Sequence, residues 1–214
     1  MPTYLMENEV DFATDVVGFP GIGSCMGVVL QTRNGMFGYH VPPGSEDRSR
    51  GFAQFVKQHA HYGEMIGMYT GCRFQVRWNG GGGAQKWREE VKYMATMIGY
   101  QGMIWGFDMT SPGTGITAAA EDNAYIEFKL KAGRDTPTIK VALMSDMNTD
   151  RQTVPQASTS IRKVWTVGKI GYELKLPYSK DAGMSRITAG MTKRPGVSKH
   201  TATGMSGFHH IYHR

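Results

Sequence analysis

The chain has 214 residues, 40% hydrophobic and 20% charged, with a formal net charge of +6. That balance excludes a disordered chain and leaves enough apolar material for a buried core. A pI near 9.3 points to acidic partners, yet no helix-turn-helix, zinc-finger or single-strand-binding motif accompanies it, so nucleic acid is not the expected partner.

No stretch approaches the roughly 18 apolar residues of a membrane span. The opening MPTYLMENEVDF carries early acidic residues and no apolar core of the kind a Sec signal needs. The expected location is therefore cytoplasmic, or secreted by a specialised machine that does not read such a signal. Cys25 and Cys72 are both expected reduced, since a scaffold of this length does not need a staple.

Taken in order, Asp11 to Val17 reads as a short strand, with Thr14 and Asp15 as candidate polar partners for a later histidine. Gly18 to Pro43, GFPGIGSCMGVVLQTRNGMFGYHVPP, is the informative stretch. Two apolar runs flank a turn ending in Asn34-Gly35, a strong short-range hairpin signal. Cys25 opens the first run and His40 closes the second, so a hairpin returns both side chains to one end of a sheet. A thiol beside an imidazole is the minimum unit of nucleophilic catalysis: the ring takes the proton and the thiolate attacks an acyl carbon. Gly21, Gly23 and Ser24 precede the cysteine, and backbone N–H groups at Gly23 and Ser24 are candidates to hold an oxyanion. The plainer reading of Cys25 is a buried core cysteine, and of His40 an ordinary strand-end histidine.

Pro42 to Arg50 is polar and proline-bearing, a loop bordering any cleft near His40. Gly51 to Met68 has apolar residues at helical spacing (Phe52, Phe55, Val56, Ala60). His59 and His61 do not share a face and lack the further ligands of a metal site, and no metal is expected. Cys72 to Trp78 alternates apolar and polar residues and predicts a half-buried strand beginning at Cys72. The glycines at 80–83 lack the Lys-Ser/Thr of a phosphate loop. Ala84 to Tyr100 is the clearest helix, with Trp87, Val91, Met94 and Ile98 on one stripe. Met103 to Phe107 reads as a buried strand, Thr110 to Asn123 as a loop, and Tyr125–Lys131 with Thr138–Met144 as a second hairpin.

Beyond Asp146, Asn148 to Ser160 is linker-like, and Ile161–Val167 with Tyr172–Leu176 predicts a third hairpin. From Ser179, Lys180, Arg186, Lys193, Arg194, Lys199 and Arg214 stand against the single Asp181. This is a solvated basic tail or a docking element for an acidic target. His209, His210 and His213 lie close together near its end.

The segments GIGSCMGVVL and GMFGYHVPPGS resemble the active-site segment of the chemoreceptor glutamine deamidase (CheD) family: Gly-Ser-Cys, an apolar strand, a turn, then Gly and His before a Pro-containing loop. The same Cys–His unit occurs in deamidase toxins, the cytotoxic necrotizing factor catalytic domain and the Burkholderia lethal factor group. The predicted element order is similar to the chemoreceptor deamidases over roughly Val10 to Asp146. The resemblance implies Cys25 as nucleophile and His40 as general base. Several members carry a threonine six residues before the cysteine to orient the imidazole. Here that position is Phe19, whose backbone carbonyl is the candidate replacement.

The expected fold is α+β, a layered sheet-and-helix deamidase-like domain over 1–147 with a C-terminal extension over 148–214, strand-bearing and then basic and Gly/Ser/Thr-rich. The resemblance implies a protein-glutamine amidohydrolase that needs no cofactor. Its partner would be a target protein with a reactive glutamine, docked through an acidic surface. The extension and its charge favour a bacterial toxin or effector acting on a foreign protein. The alternatives are a chemotaxis receptor deamidase, or a non-enzymatic module that uses its basic tail to bind.

Overall fold

The computed structural model describes residues 3–43, 46–78, 82–110, 124–132, 136–143, 147–148, 192–193, 198–201 and 208–213, with side chains except at 46–48 and beyond 141. The expected loop over 111–123, most of the linker, the third hairpin and most of the basic tail lie outside the described residues.

The hairpin organises the first layer. Strands β4 (Met26–Thr32) and β5 (Gly35–Val41) pair antiparallel across the two-residue turn Arg33-Asn34. Thr32 Oγ1 holds the turn, donating to the Tyr62 carbonyl at 2.8 Å and receiving the Asn34 N–H at 3.3 Å. Strand β2 (Val10–Ala13) flanks β5, and β6 (Met65–Cys72) flanks β4. Strand β7 (Gly102–Asp108) lies parallel to β6, and β13 (Phe208–His213) closes the edge. The result is a six-stranded sheet in the order β13-β7-β6-β4-β5-β2.

A second sheet of five strands runs β1-β3-β8-β9-β12, from β1 (Thr3–Tyr4), β3 (Val16–Ile22), β8 (Ala124–Lys129), β9 (Thr138–Leu143) and β12 (Ser198–Thr201). A two-stranded pair, β10 (Met147–Asn148) with β11 (Thr192–Lys193), stands apart from both sheets. Helix α1 (Glu46–Gln58) and helix α3 (Gly83–Ile98) pack on the outer face of the six-stranded sheet and on each other.

Alternation along β4 and β5 explains why both faces are buried. Met26, Val28, Leu30, Phe37, Tyr39 and Val41 meet the helices, while Val29 and Met36 meet Val17, Phe19, Ile126 and Phe128 of the second sheet. Sheet, sheet and helix thus form three layers with two cores, an α+β architecture. Among the described residues no helix is long and apolar enough to cross a membrane.

Helix α3 carries the expected stripe, with Trp87, Val91, Met94 and Ile98 all buried. It stops at Gly99, whose φ of +82° places it in the left-handed region. The Gly99 and Tyr100 N–H groups both reach back to the Ala95 carbonyl at 2.9 Å, which satisfies the end of the helix.

Other expectations change. Helix α1 begins five residues earlier than the apolar spacing suggests, and its pattern is broken at Gly63, after a 3-10 turn over Ala60–Tyr62. Met65 to Met68, read as the helix end, instead open the central strand MIGMYTGC; its neighbours β4 and β7 supply non-local pairing that outweighs local spacing. The strand expected over 72–78 is the last residue of β6 followed by a helical turn, α2 (Phe74–Arg77), in which Phe74 and Arg77 are buried three positions apart. The strand expected over 11–17 is two strands in different sheets, turning at Thr14-Asp15. The second hairpin forms as expected, β8 with β9. Segments 198–201 and 208–213, read as part of a tail, extend β9 and β7 at the sheet edges.

Gly106 sits in β7 under the ring of Trp87. A Cβ there would lie 2.3 Å from two ring carbons, and the ring is pinned by its Nε1–H donating to Thr70 Oγ1 at 2.7 Å. Gly106→Ala is expected to lower the unfolding free energy by about 1–3 kcal/mol, read from the urea midpoint at unchanged m-value.

Candidate active site

The ladder decides which side chains meet. Gly27 lies opposite His40, and Cys25 is two residues before Gly27, so Cys25 and His40 share the face turned to the second sheet. They are diagonal neighbours on that face, a spacing of about 7–8 Å between backbone positions, and the Cys25 sulfur is not within hydrogen-bond reach of His40 Nε2. The ring of Phe19 fills the space left by the missing side chain of Gly27, where a Cβ would approach it to 2.5 Å. Phe19 also meets the His40 ring edge-on, with centroids 5.8 Å apart.

His40 is 1% exposed. Its Nδ1 bonds the Leu5 carbonyl at 2.8 Å. A carbonyl only accepts, so Nδ1 carries the proton and Nε2 presents its lone pair. That Nε2 is buried without a hydrogen-bond partner among the described residues. Burial pulls the ring pKa down to about 4, with the Leu5 bond opposing the fall and the Arg77 charge adding to it. At neutral pH the imidazole is therefore neutral.

The orienting carbonyl is thus that of Leu5, just after β1, and not that of Phe19, which lies within the β3–β8 ladder opposite Ile126. The same N-terminal segment grips the His40 backbone: Asn8 N–H donates to the His40 carbonyl at 2.9 Å, and His40 N–H to the Glu9 carbonyl at 3.1 Å. Thr14 and Asp15 lie at the opposite end of the hairpin, with Arg33 and Asn34, and are not partners of the ring.

Cys25 is a free thiol, 7% exposed, beside the half-buried Gly23 and Ser24. Burial pushes it up to about 11; the carboxylate of Glu7 adds to the rise and Arg77 opposes it. Thiol and imidazole are therefore both uncharged at neutral pH. Gly21, at φ +81°, turns the chain just before the thiol, and Gly23 N–H closes that turn on the Gly21 carbonyl at 2.9 Å, so this expected oxyanion donor is already engaged. Cys72 is also free but packs on the helix side of the sheet, away from Cys25. Three surface hollows lie elsewhere: between α1 and α3, beneath the end of α3, and at the hairpin turn.

The residue that sequence patterning hid is Arg77. Its side chain is 1% exposed. Nε donates to Glu90 at 3.0 Å, and a second, short bond joins Nη2 to the same carboxylate. Nη1 donates to the carbonyls of Ser24 at 2.9 Å and Val41 at 3.1 Å, and Nη2 to that of Pro42 at 3.2 Å. All five N–H donors of the guanidinium are used. Arg77 thereby ties the segment before Cys25 to the segment after His40, and both to α3. Its own turn is fixed by Asp108 Oδ1, which accepts the Phe74 N–H at 3.3 Å. The apparent alternation of 72–78 disguised this arginine as a solvated strand residue. Nothing in the sequence marks Leu5, since its contribution is a main-chain oxygen.

The sequence matches no protein-family model, and no curated protein matches it.

The lowered His40 pKa fixes a pH dependence. Between its unfolded value of 6.5 and about 4 in the folded chain, the unfolded state binds the extra proton, so stability falls as pH falls. The loss is absent above pH 6.5 and reaches about 3 kcal/mol by pH 4. His40→Asn, which keeps a donor for Leu5 but does not titrate, should remove this component from a pH series of urea midpoints compared with the unsubstituted protein.

Proposed function

We propose that the protein is a protein-glutamine deamidase working through Cys25 and His40. The observation that carries the reading is the state of the His40 ring: Nδ1 committed to a carbonyl, Nε2 buried and unpartnered, on the sheet face that also holds Cys25. Such a ring resembles a base waiting for a proton more than a core histidine, whose nitrogens are ordinarily both satisfied.

The thiol proton passes to His40 Nε2 as sulfur attacks the carboxamide carbon of a target glutamine. Backbone N–H groups at Ser24 and Cys25, in the segment that begins at Gly23, hold the oxyanion. The protonated ring gives its proton to the departing ammonia, leaving a thioester. The ring then removes a proton from water, which attacks the thioester, and the thiol is restored with glutamate as product. No metal or cofactor enters these steps.

The surplus of positive charge over the chain favours a target with an acidic surface. The conversion adds a negative charge to that target, a change suited to an effector that disables or retunes a foreign protein.

The test is peptide mass spectrometry of candidate target proteins incubated with the unsubstituted chain, Cys25→Ala and His40→Asn, looking for one glutamine converted to glutamate. Cys25→Ala is expected to abolish conversion, and His40→Asn to slow it by about 10²–10⁴-fold. Conversion that persists in Cys25→Ala would sink the reading.

A further inference from the structure

We propose that Arg77 is the positioning residue of the oxyanion site: by holding the Ser24 carbonyl, it aims the Cys25 N–H at the developing negative charge. The proposal rests on the thiol reading above and adds the residue that makes its backbone donor effective.

The Ser24–Cys25 peptide is planar and trans, so its C=O and N–H point in opposite directions. Arg77 Nη1 takes the Ser24 oxygen at 2.9 Å. The Cys25 N–H is thereby turned away from the guanidinium. The preceding residue does not fix this plane alone, because Gly23 has no side chain to restrict its ψ. Arg77 cannot swing away from the Ser24 oxygen, because its remaining donors are engaged by the Val41 and Pro42 carbonyls and by Glu90 on α3. One rigid fork thus sets the distance between the donor segment and the strand that carries the base.

A lysine does not reproduce this. It keeps the positive charge, and so its field at the thiol, but offers three donors from a single point. It cannot reach carbonyls in two segments and a carboxylate together. Arg77→Lys therefore separates the electrostatic effect on the thiol from the orientation of the peptide.

The experiment compares two reactions of Cys25 in the full chain, neither of which needs the natural target. In the first, p-nitrophenyl acetate acylates the thiol. The thiol proton goes to His40 Nε2, a sulfur–carbon bond forms, and the carbonyl electron pair moves onto oxygen. Collapse breaks the ester C–O bond, releasing nitrophenolate and leaving an acetyl thioester. In the second, the thiol gives up its proton to solvent and the sulfur is alkylated by iodoacetamide with direct displacement of iodide, with no oxyanion. Peptide mass spectrometry assigns both modifications to Cys25.

Arg77→Lys is expected to slow acylation by about 10²-fold while alkylation stays within about threefold. Glu90→Gln slackens the fork without removing it and should slow acylation by about tenfold with the same selectivity; it carries the test if Arg77→Lys does not fold by circular dichroism. An equal fall in both reactions would mean that Arg77 acts on the thiol or the fold at large, and would overturn the proposal. Unchanged acylation would overturn it too. Failure of the unsubstituted protein to acetylate Cys25 at all would instead remove the thiol reading, and the proposal with it.

Discussion

Gly27 facing His40 across the β4–β5 ladder is the constraint on which the site depends. Strand periodicity is two, so a slip of one residue would turn His40 to the helix layer and leave Cys25 with the second sheet. The register is held at both ends. At the turn, Thr32 closes Arg33-Asn34 and reaches Tyr62. At the open end, Arg77 joins the flanks of both strands. Between them, large side chains are buried on the helix side, and the glycines Gly27 and Gly38 lie on the other. A Cβ at Gly38 would meet Val17 and Leu5, and one at Gly27 would meet Phe19. The small residues are what let the second sheet approach closely enough to cover the ring.

That cover determines the electrostatics. Burial shifts thiol and imidazole in opposite directions, the first to about 11 and the second to about 4. Both shifts favour the uncharged form. The pair therefore rests neutral, unlike the thiolate–imidazolium pairs that a more polar cleft sustains. Arg77 is the exception, a cation kept charged in the interior because Glu90 and three carbonyls replace its hydration. Its field at Cys25 favours the thiolate form and opposes the effect of burial.

Much of this was legible in the sequence, for local reasons. Asn34-Gly35 between apolar runs announced the hairpin, and the hairpin brought Cys25 and His40 to one end. Trp87, Val91, Met94 and Ile98 declared their helix face. The α+β class followed from those elements. What stayed hidden was non-local. MIGMYTGC became a strand because β4 and β7 lay ready on either side of it. Arg77 looked like the polar half of an alternating strand, and its burial depends on Glu90 from another helix. The contact from Leu5 crosses 35 positions of sequence and uses an atom that every residue possesses, so no side-chain pattern could reveal it.

The bond from His40 to the Leu5 oxygen has an unusual genetic property. Because the acceptor belongs to the main chain, no codon change at position 5 deletes it; every amino acid brings the same oxygen. The ring can lose its anchor only if the whole opening strand is peeled from its neighbour at Val17 and Gly18. The bearing of the imidazole is thus inherited through the path of the polypeptide and not through the identity of any one residue, and a survey of point variants would pass over it in silence.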